Sequence, residues 1–558
     1  MAVFRRVLRG KAWEWMVDMK KRNLAGRWQA AVSGVLLPAL LAAGMIGCGS
    51  RQEGAQPTNT PTAEAQDTVT PDITPEVTPE VTTQPTPTGE DIMVENYDKM
   101  ILDVATTYQT MESFGTSGAW WSQYVGGFTK EPYGNGVATR DAIAELLFDK
   151  EKGIGLTSYR YNLGAGSVES RTGTFWDNHR KAQCFEAEPG VYDFTKDENA
   201  VWFLKKAVEL GVQEVVFFCN SPLVRLTDNG LPHMSEGGSK TNIQPENYDD
   251  FANYCYDVIE HFIAEGVPVK FLSPINEPQW DWYNAQEGCH YSAKEVRALY
   301  LAFLDELEKR PQLLEVLHLS GPESGEWGGQ ATDYTQAILG NERLAAHFDG
   351  IDNHSYWSNN IAKESFRNWM IIHYPDVKLR TSEWCEMVNG SDVTMDSAYH
   401  LAQQIAEDLT ILNVVSWQNW VGVAPGGYRD GLIYIDEASQ KFRALKRLWS
   451  FGNYSRYIRP GYVRVELTAT RRAQEDMMPT AFIGTNEDTG AKELVMVFIN
   501  EDVLDVTFLL DHAQEYHKIA VYETSDAHDL ECVKEGEWSP DQPITIAKMS
   551  VTTVVLTK

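Results

Sequence analysis

The sequence predicts an α/β protein, a (β/α)8 barrel with an associated antiparallel β-sandwich as a side domain. Eight apolar or β-rich runs between Glu112 and Gln418 alternate with helical patterns, the strand-helix repeat that builds a barrel from parallel strands. After Trp449 the helical patterns give way to short alternating runs separated by turn residues, which argues antiparallel strands. Two of the eight runs stop abruptly at a carboxylate, Glu277-Pro278 and Glu383-Trp384. The C-terminal strand ends are where a barrel of this kind places its chemistry.

The chain begins with a basic region from Arg5 to Arg27, an apolar run from Ala30 to Ala43 interrupted by Pro38, and the ending Met45-Ile46-Gly47-Cys48. The run is too short and broken for a comfortable membrane span and has the order of a secretory signal. Residues 1–48 are therefore expected to be a lipoprotein-type signal peptide. Its ending resembles a bacterial lipoprotein cleavage site, with Cys48 as the lipidated first residue of a mature chain anchored to the outer face of a bacterial membrane. Plain secretion and an uncleaved signal-anchor are the alternatives. Residues 49–91 are rich in Thr, Pro, Glu and Gln, with the near-repeat Thr70-Pro71-Asp72-Ile73-Thr74-Pro75-Glu76-Val77-Thr78-Pro79. Such a segment cannot build a core and reads as a disordered, partly polyproline tether.

The α/β body is assigned to residues 92–450. Its expected strands are 112–115, 157–163, 214–220, 269–275, 316–321, 350–356, 378–383 and 413–418. Helical patterns lie between them at 200–210, 247–265, 292–309 and 396–412. This places Glu277 on the fourth strand and Glu383 on the seventh. Residues 451–558 form the β domain, with runs at 462–467, 481–484, 494–499, 506–510, 518–523 and 549–556. The β domain is expected to pack on the barrel.

Composition excludes several functions. Of a formal charge of −31, residues 1–50 carry a net +6, with eight Lys/Arg against Glu14 and Asp18, so the remainder stands at −37. So acidic a surface argues against nucleic acid and against adhesion to anionic lipid. The six cysteines beyond Cys48 are scattered, and Cys219 sits in the apolar run Val215-Val216-Phe217-Phe218 as a core thiol. With no Cys/His cluster at ligand spacing, phosphate-binding loop, dinucleotide fingerprint or Gly-x-Ser-x-Gly elbow, no metal and no cofactor are expected.

Two carboxylates at the ends of two strands, each beside tryptophan, are what glycoside hydrolysis needs: one proton donor to the leaving oxygen and one group facing the anomeric carbon. The pair, with Asn276 directly before the first glutamate, resembles the clan A glycosidases. The longer pattern resembles glycoside hydrolase family 30, nearest to its endo-β-1,6-galactanase-like members. It rests on Phe114-Gly115-Thr116-Ser117-Gly118-Ala119-Trp120-Trp121, Tyr159-Arg160-Tyr161-Asn162, Asn220-Ser221-Pro222, Ser273-Pro274-Ile275-Asn276-Glu277-Pro278, His354-Ser355-Tyr356-Trp357, Ser382-Glu383-Trp384 and Trp417-Gln418-Asn419-Trp420. The resemblance also implies that the segment around Met100–Val104 adds a strand to the β domain.

The resemblance implies a retaining double displacement. Glu277 is the general acid/base and must be protonated at working pH; Glu383 is the nucleophile and must stay ionised. Arg160 resembles the clan arginine that bonds the nucleophile, and Asn276 the asparagine that bonds the sugar 2-hydroxyl. His354 and Tyr356 share a strand face, and one of them is expected to contact Glu383 or the sugar. Trp120, Trp121, Trp280 and Trp420 are the expected sugar platforms among seven tryptophans at strand ends, the others being Trp357, Trp384 and Trp417. Arg429 could clamp a uronic acid, but pairing with neighbouring Asp430 is the favoured expectation. The expected partner is a polysaccharide or oligosaccharide, acted on by a monomer. Glucuronoxylan and β-glucan or β-glucoside substrates stay open beside β-1,6-galactan, and the alternative of another class is a non-catalytic, glycan-binding surface lipoprotein.

Overall fold

The structure, a computed structural model, describes residues 97–170 and 177–558; the signal segment, Cys48 and the linker fall outside the described residues. The parallel strands are β1 (Ser113–Ser117), β2 (Ser158–Asn162), β3 (Glu214–Phe218), β4 (Val269–Ser273), β5 (His318–Leu319), β6 (Pro322–Ser324), β7 (Gly350–His354), β8 (Lys378–Trp384) and β9 (Ser416–Ala424). Their order in the sheet is β5-β4-β3-β2-β1-β9-β8-β7-β6. The fifth expected strand is thus two short pieces, β5 and β6, which stand at the two ends of the sheet although only Ser320 and Gly321 separate them. Where the halves meet, the Glu277 N–H beyond β4 donates to the Glu323 carbonyl of β6 at 2.8 Å. A hairpin of Gly431–Asp436 and Lys441–Ala444, which the sequence reading did not anticipate, extends β9.

These strands read as continuous apolar runs because both their faces are covered: all of Glu214–Phe218 is buried. The helices follow the predicted spacing. Ala293–Leu307 buries Val296, Leu299, Tyr300, Phe303, Leu304 and Leu307, an apolar stripe of period 3.6, and starts at a capping box formed by Ser292 and Glu295. Helix Met395–Glu407 passes into a π-helical turn, Asp408–Leu412. That turn buries Asp408, whose carboxylate accepts from Ser355 Oγ (2.9 Å), Thr381 Oγ1 (3.1 Å) and Trp417 Nε1 (2.9 Å) and pairs with Lys363 Nζ (2.8 Å). One buried acid therefore ties together the chain at β7, β8 and β9.

The second sheet has nine strands, and Asp98–Thr110 is one of them. That strand pairs antiparallel with Val463–Ala469 and parallel with Val506–Asp511. The expectation of a wholly antiparallel sheet is corrected there. A parallel pair needs a long crossover, and the intervening body of the chain supplies it. Met100, Leu102, Met496, Phe498, Phe508 and Leu556 fill one core of this sheet. Helix Lys446–Ser455 covers the other face, where Asn453 Nδ2 donates to Thr553 Oγ1 at 2.9 Å.

Candidate active site

The Asn276-Glu277-Pro278 stretch turns sharply off β4. Glu277 takes a left-handed backbone, φ 43°, held by its amide bond to Glu323 and by Trp282, whose indole N–H donates to the Glu277 carbonyl at 3.0 Å. Trp120, Glu323 and Trp357, each at or just beyond a strand end, also have positive φ, at 69°, 57° and 46°. Non-glycine residues rarely adopt this conformation without a surrounding structure that imposes it. Gly325 leaves room for these side chains, because a Cβ there would lie 2.8 Å from Glu277 Oε1 and 2.6 Å from Gln279 Nε2 and would displace them.

Glu277 and Glu383, on strands 106 positions apart in sequence, meet. Their side chains and that of His354 bring one oxygen or nitrogen each within 4.8 Å of one another. Arg160 on β2 is fully buried; its Nη1 donates to Glu383 Oε2 at 2.7 Å and its Nη2 to Asn276 Oδ1 at 3.0 Å. The guanidinium lies 3.6 Å over the Phe218 ring. Tyr356 donates its hydroxyl to Glu383 Oε1 at 3.0 Å. His354 Nδ1 sits 3.0 Å from Glu277 Oε1 and 3.4 Å from Glu383 Oε1, so both residues of the shared face reach Glu383.

A third carboxylate completes the cluster, one the sequence reading missed. Glu323 Oε2 lies 3.2 Å from His354 Nε2 and 3.4 Å from Arg160 Nη2, and it accepts from the Ser382 hydroxyl. Its side chain is fully buried. The signal was present: Gly321-Pro322-Glu323 ends the fifth strand in a carboxylate, as Glu277 and Glu383 end the fourth and seventh.

Burial by itself would lower the His354 imidazole, but the carboxylates of Glu383, Glu277 and Glu323 raise it to about 9. The imidazolium is therefore a resident cation of the cluster. Burial would raise Glu323, and Arg160, His354 and Ser382 hold it below the usual carboxylate range. Burial pushes Glu383 up, against the pull of His354 and Arg160. Two cations, Arg160 and His354, face three carboxylates, so the cluster is neutral when one carboxyl keeps a proton.

The tryptophans divide. Trp120 meets Trp420 edge to face at 4.9 Å, and Trp420 lies 6.3 Å from Phe218, the ring beneath Arg160. Trp280 and Trp357 are exposed and meet at 5.3 Å. Trp121 is not at the rim: it is buried against Phe203, with its indole N–H donating to the Ser117 carbonyl. Trp417 is likewise core, bonded to Asp408, and Trp384 packs half-buried against it. Arg429 does not pair with Asp430; it lies 3.1 Å from both Glu386 and Asp392.

Residues 97–318 match the sequence profile of O-glycosyl hydrolase family 30. An endo-β-1,6-galactanase from Hypocrea rufa is 24% identical over 457 residues, covering 74% of this chain and 84% of the relative. Among solved structures, a conserved exported protein from Bacteroides fragilis superposes with a TM-score of 0.71 at 25% identity, covering 82% of this chain and all of that one. The catalytic domain of a family 30 xylanase C from Talaromyces cellulolyticus superposes at 0.63 with 18% identity, covering 83% of this chain and all of that one.

Proposed function

We propose that the chain is a family 30 glycoside hydrolase that cleaves β-1,6-galactan-like chains internally, by double displacement with retention. The observation that carries this is the approach of Glu277 and Glu383, within 4.8 Å at their nearest oxygens. Retaining enzymes hold their carboxyl groups about 5–5.5 Å apart, whereas inverting enzymes leave room for a water at about 6.5–9.5 Å. The parallel sheet reads as a closed (β/α)8 barrel, β5 and β6 being the broken fifth stave, and the nine-stranded sheet as its sandwich side domain.

Hydrogen bonding supports this division of roles. Glu383 accepts from Arg160 and Tyr356 and faces His354, whereas Glu277 faces His354 alone among these donors. Donors stabilise the ionised form, which suits Glu383 to the nucleophile's role and leaves Glu277 the acid/base of this reading. In the first step Glu383 attacks the anomeric carbon as Glu277 protonates the departing glycosidic oxygen; the glycosidic bond breaks and a glycosyl ester forms on Glu383. In the second, Glu277 takes a proton from water, whose oxygen attacks the same carbon and frees Glu383. Asn276, oriented by Arg160, holds the 2-hydroxyl. Exposed Trp280 and Trp357, with half-buried Trp120, supply apolar faces to flanking sugars, whereas Trp420 is buried and backs Trp120 from the core.

The galactan reading is supported by the Hypocrea rufa relative and by the Gly115-Thr116-Ser117 and double-tryptophan pattern. Glucuronoxylan is disfavoured because Arg429 is held by Glu386 and Asp392. We place the enzyme at the cell surface, tethered through Cys48 by the linker. Release of reducing sugar from arabinogalactan side chains, β-1,6-glucan and glucuronoxylan tests the assignment. Fastest turnover on the galactan is expected. Tight binding without turnover on every member would instead make this a glycan-binding surface protein.

A further inference from the structure

We propose that Glu323 is a positioning residue for the hydrolysis, fixing on His354 the proton that the imidazole presents to Glu277 and Glu383 together. The inference rests on the reading of that pair as acid/base and nucleophile. Glu323 touches no open part of the cleft: its side chain is fully buried, and its carboxylate meets His354 Nε2 (3.2 Å), Arg160 Nη2 (3.4 Å) and the Ser382 hydroxyl. A buried carboxylate on one imidazole nitrogen sets which nitrogen carries a proton and how the ring is turned. With Nε2 anchored, Nδ1 is aimed between Glu277 Oε1 and Glu383 Oε1, at 3.0 and 3.4 Å. The Glu323 carbonyl also receives the Glu277 amide, so one residue places both the acid and the imidazole that faces it.

His354 is faced by Glu277 from the end of β4, by Glu323 from β6 and by Glu383 from β8, with Tyr356 beyond it on its own segment. Arg160 from β2 faces Glu323 and Glu383, and Asp352 and Tyr300 also feel the Glu323 charge. Of the three carboxylates around the ring, Glu323 is the one on the side away from the reacting pair. It can therefore keep the ring charged throughout a cycle in which Glu277 and Glu383 both change charge.

The test compares Glu323→Gln with Glu323→Asp in the full-length protein. In Glu323→Gln the alkaline limb of the kcat/KM profile is expected to move down by about one pH unit, roughly a tenfold weaker hold on the proton. Glu323→Asp, which keeps the charge, is expected to stay near the parent limb. The ¹⁵N resonances of the His354 ring, assigned by their loss in His354→Gln, should titrate with the same displacement. That readout needs no substrate, so it decides the proposal even if the parent protein hydrolyses nothing, the result that would sink the hydrolase reading instead. An unmoved limb and an unmoved ring titration in Glu323→Gln, with both variants losing rate and melting temperature equally, would overturn the proposal and leave Glu323 a packing residue.

Discussion

Replacing Arg160 with lysine keeps the buried charge and removes the shape that holds it. The guanidinium spans Glu383 at 2.7 Å and Asn276 at 3.0 Å while stacking 3.6 Å over Phe218. An ammonium is a point charge and can serve one of those two oxygens well, not both. Losing one hydrogen bond to or from a charged group costs about 1.5–3 kcal/mol, and losing a desolvated stacking contact costs about 0.5–2 kcal/mol more. Together this is about 2–5 kcal/mol of transition-state stabilisation, or a fall in kcat/KM of roughly thirtyfold to a few thousandfold. The assay is kcat/KM on the polymer and on an aryl glycoside with a good leaving group. The aryl substrate relieves the demand on Glu277, so a defect in Glu383 and Asn276 should persist there. A loss under about threefold on both substrates, with the variant folded, would refute the view that the fork of Arg160 sets the nucleophile and the 2-hydroxyl contact together.

Glu383→Ala should abolish turnover on every substrate, and Glu277→Ala should keep partial activity on aryl glycosides with good leaving groups; full activity in Glu383→Ala would remove the assignment. The His354 ring should lose its proton only as pH rises through about 9, read from its ¹⁵N resonances. Because that value lies above the ordinary 6.5, the stability His354 contributes is complete below about 6.5 and is lost as pH rises through about 9, which denaturant melts at stepped pH can check. Trp121→Ala should destabilise by about 3–5 kcal/mol with little change in KM, whereas Trp357→Ala should raise KM and leave the melting temperature alone. Gly325→Ala should cut kcat by pressing a methyl group on Glu277, measured beside an unchanged circular dichroism spectrum.

Both glutamates were legible because β4 and β8 run into a carboxylate followed by proline or tryptophan, a pattern written in consecutive residues. Helix bounds came within a few positions for the same reason. What a run does not reveal is the rotation of the backbone just past its end. Trp120 and Trp121 look alike in sequence, yet Trp120 takes a positive φ and stays half-buried while Trp121 is buried. Glu323 escaped notice because the apolar run at 316–321 gives out before it, and β6 carries the carboxylate as a separate three-residue piece beyond Gly321. Arg429 was misassigned because adjacency in sequence says little about pairing when side chains of neighbours point apart.

The strand Asp98–Thr110 finds its neighbours only near the far end of the chain: Lys99 meets Asp511 at 3.1 Å, 412 positions away. A ribosome delivers those partners last, so Met100 and Leu102 must wait uncovered while the parallel sheet assembles. Contacts so distant in sequence form slowly, and exposed strands awaiting them are prone to mispair. Truncations that remove Val463–Ala469 and Val506–Asp511 should therefore unmask the first strand, making a protease cut near residue 100 a sensitive reporter of whether its partners have docked.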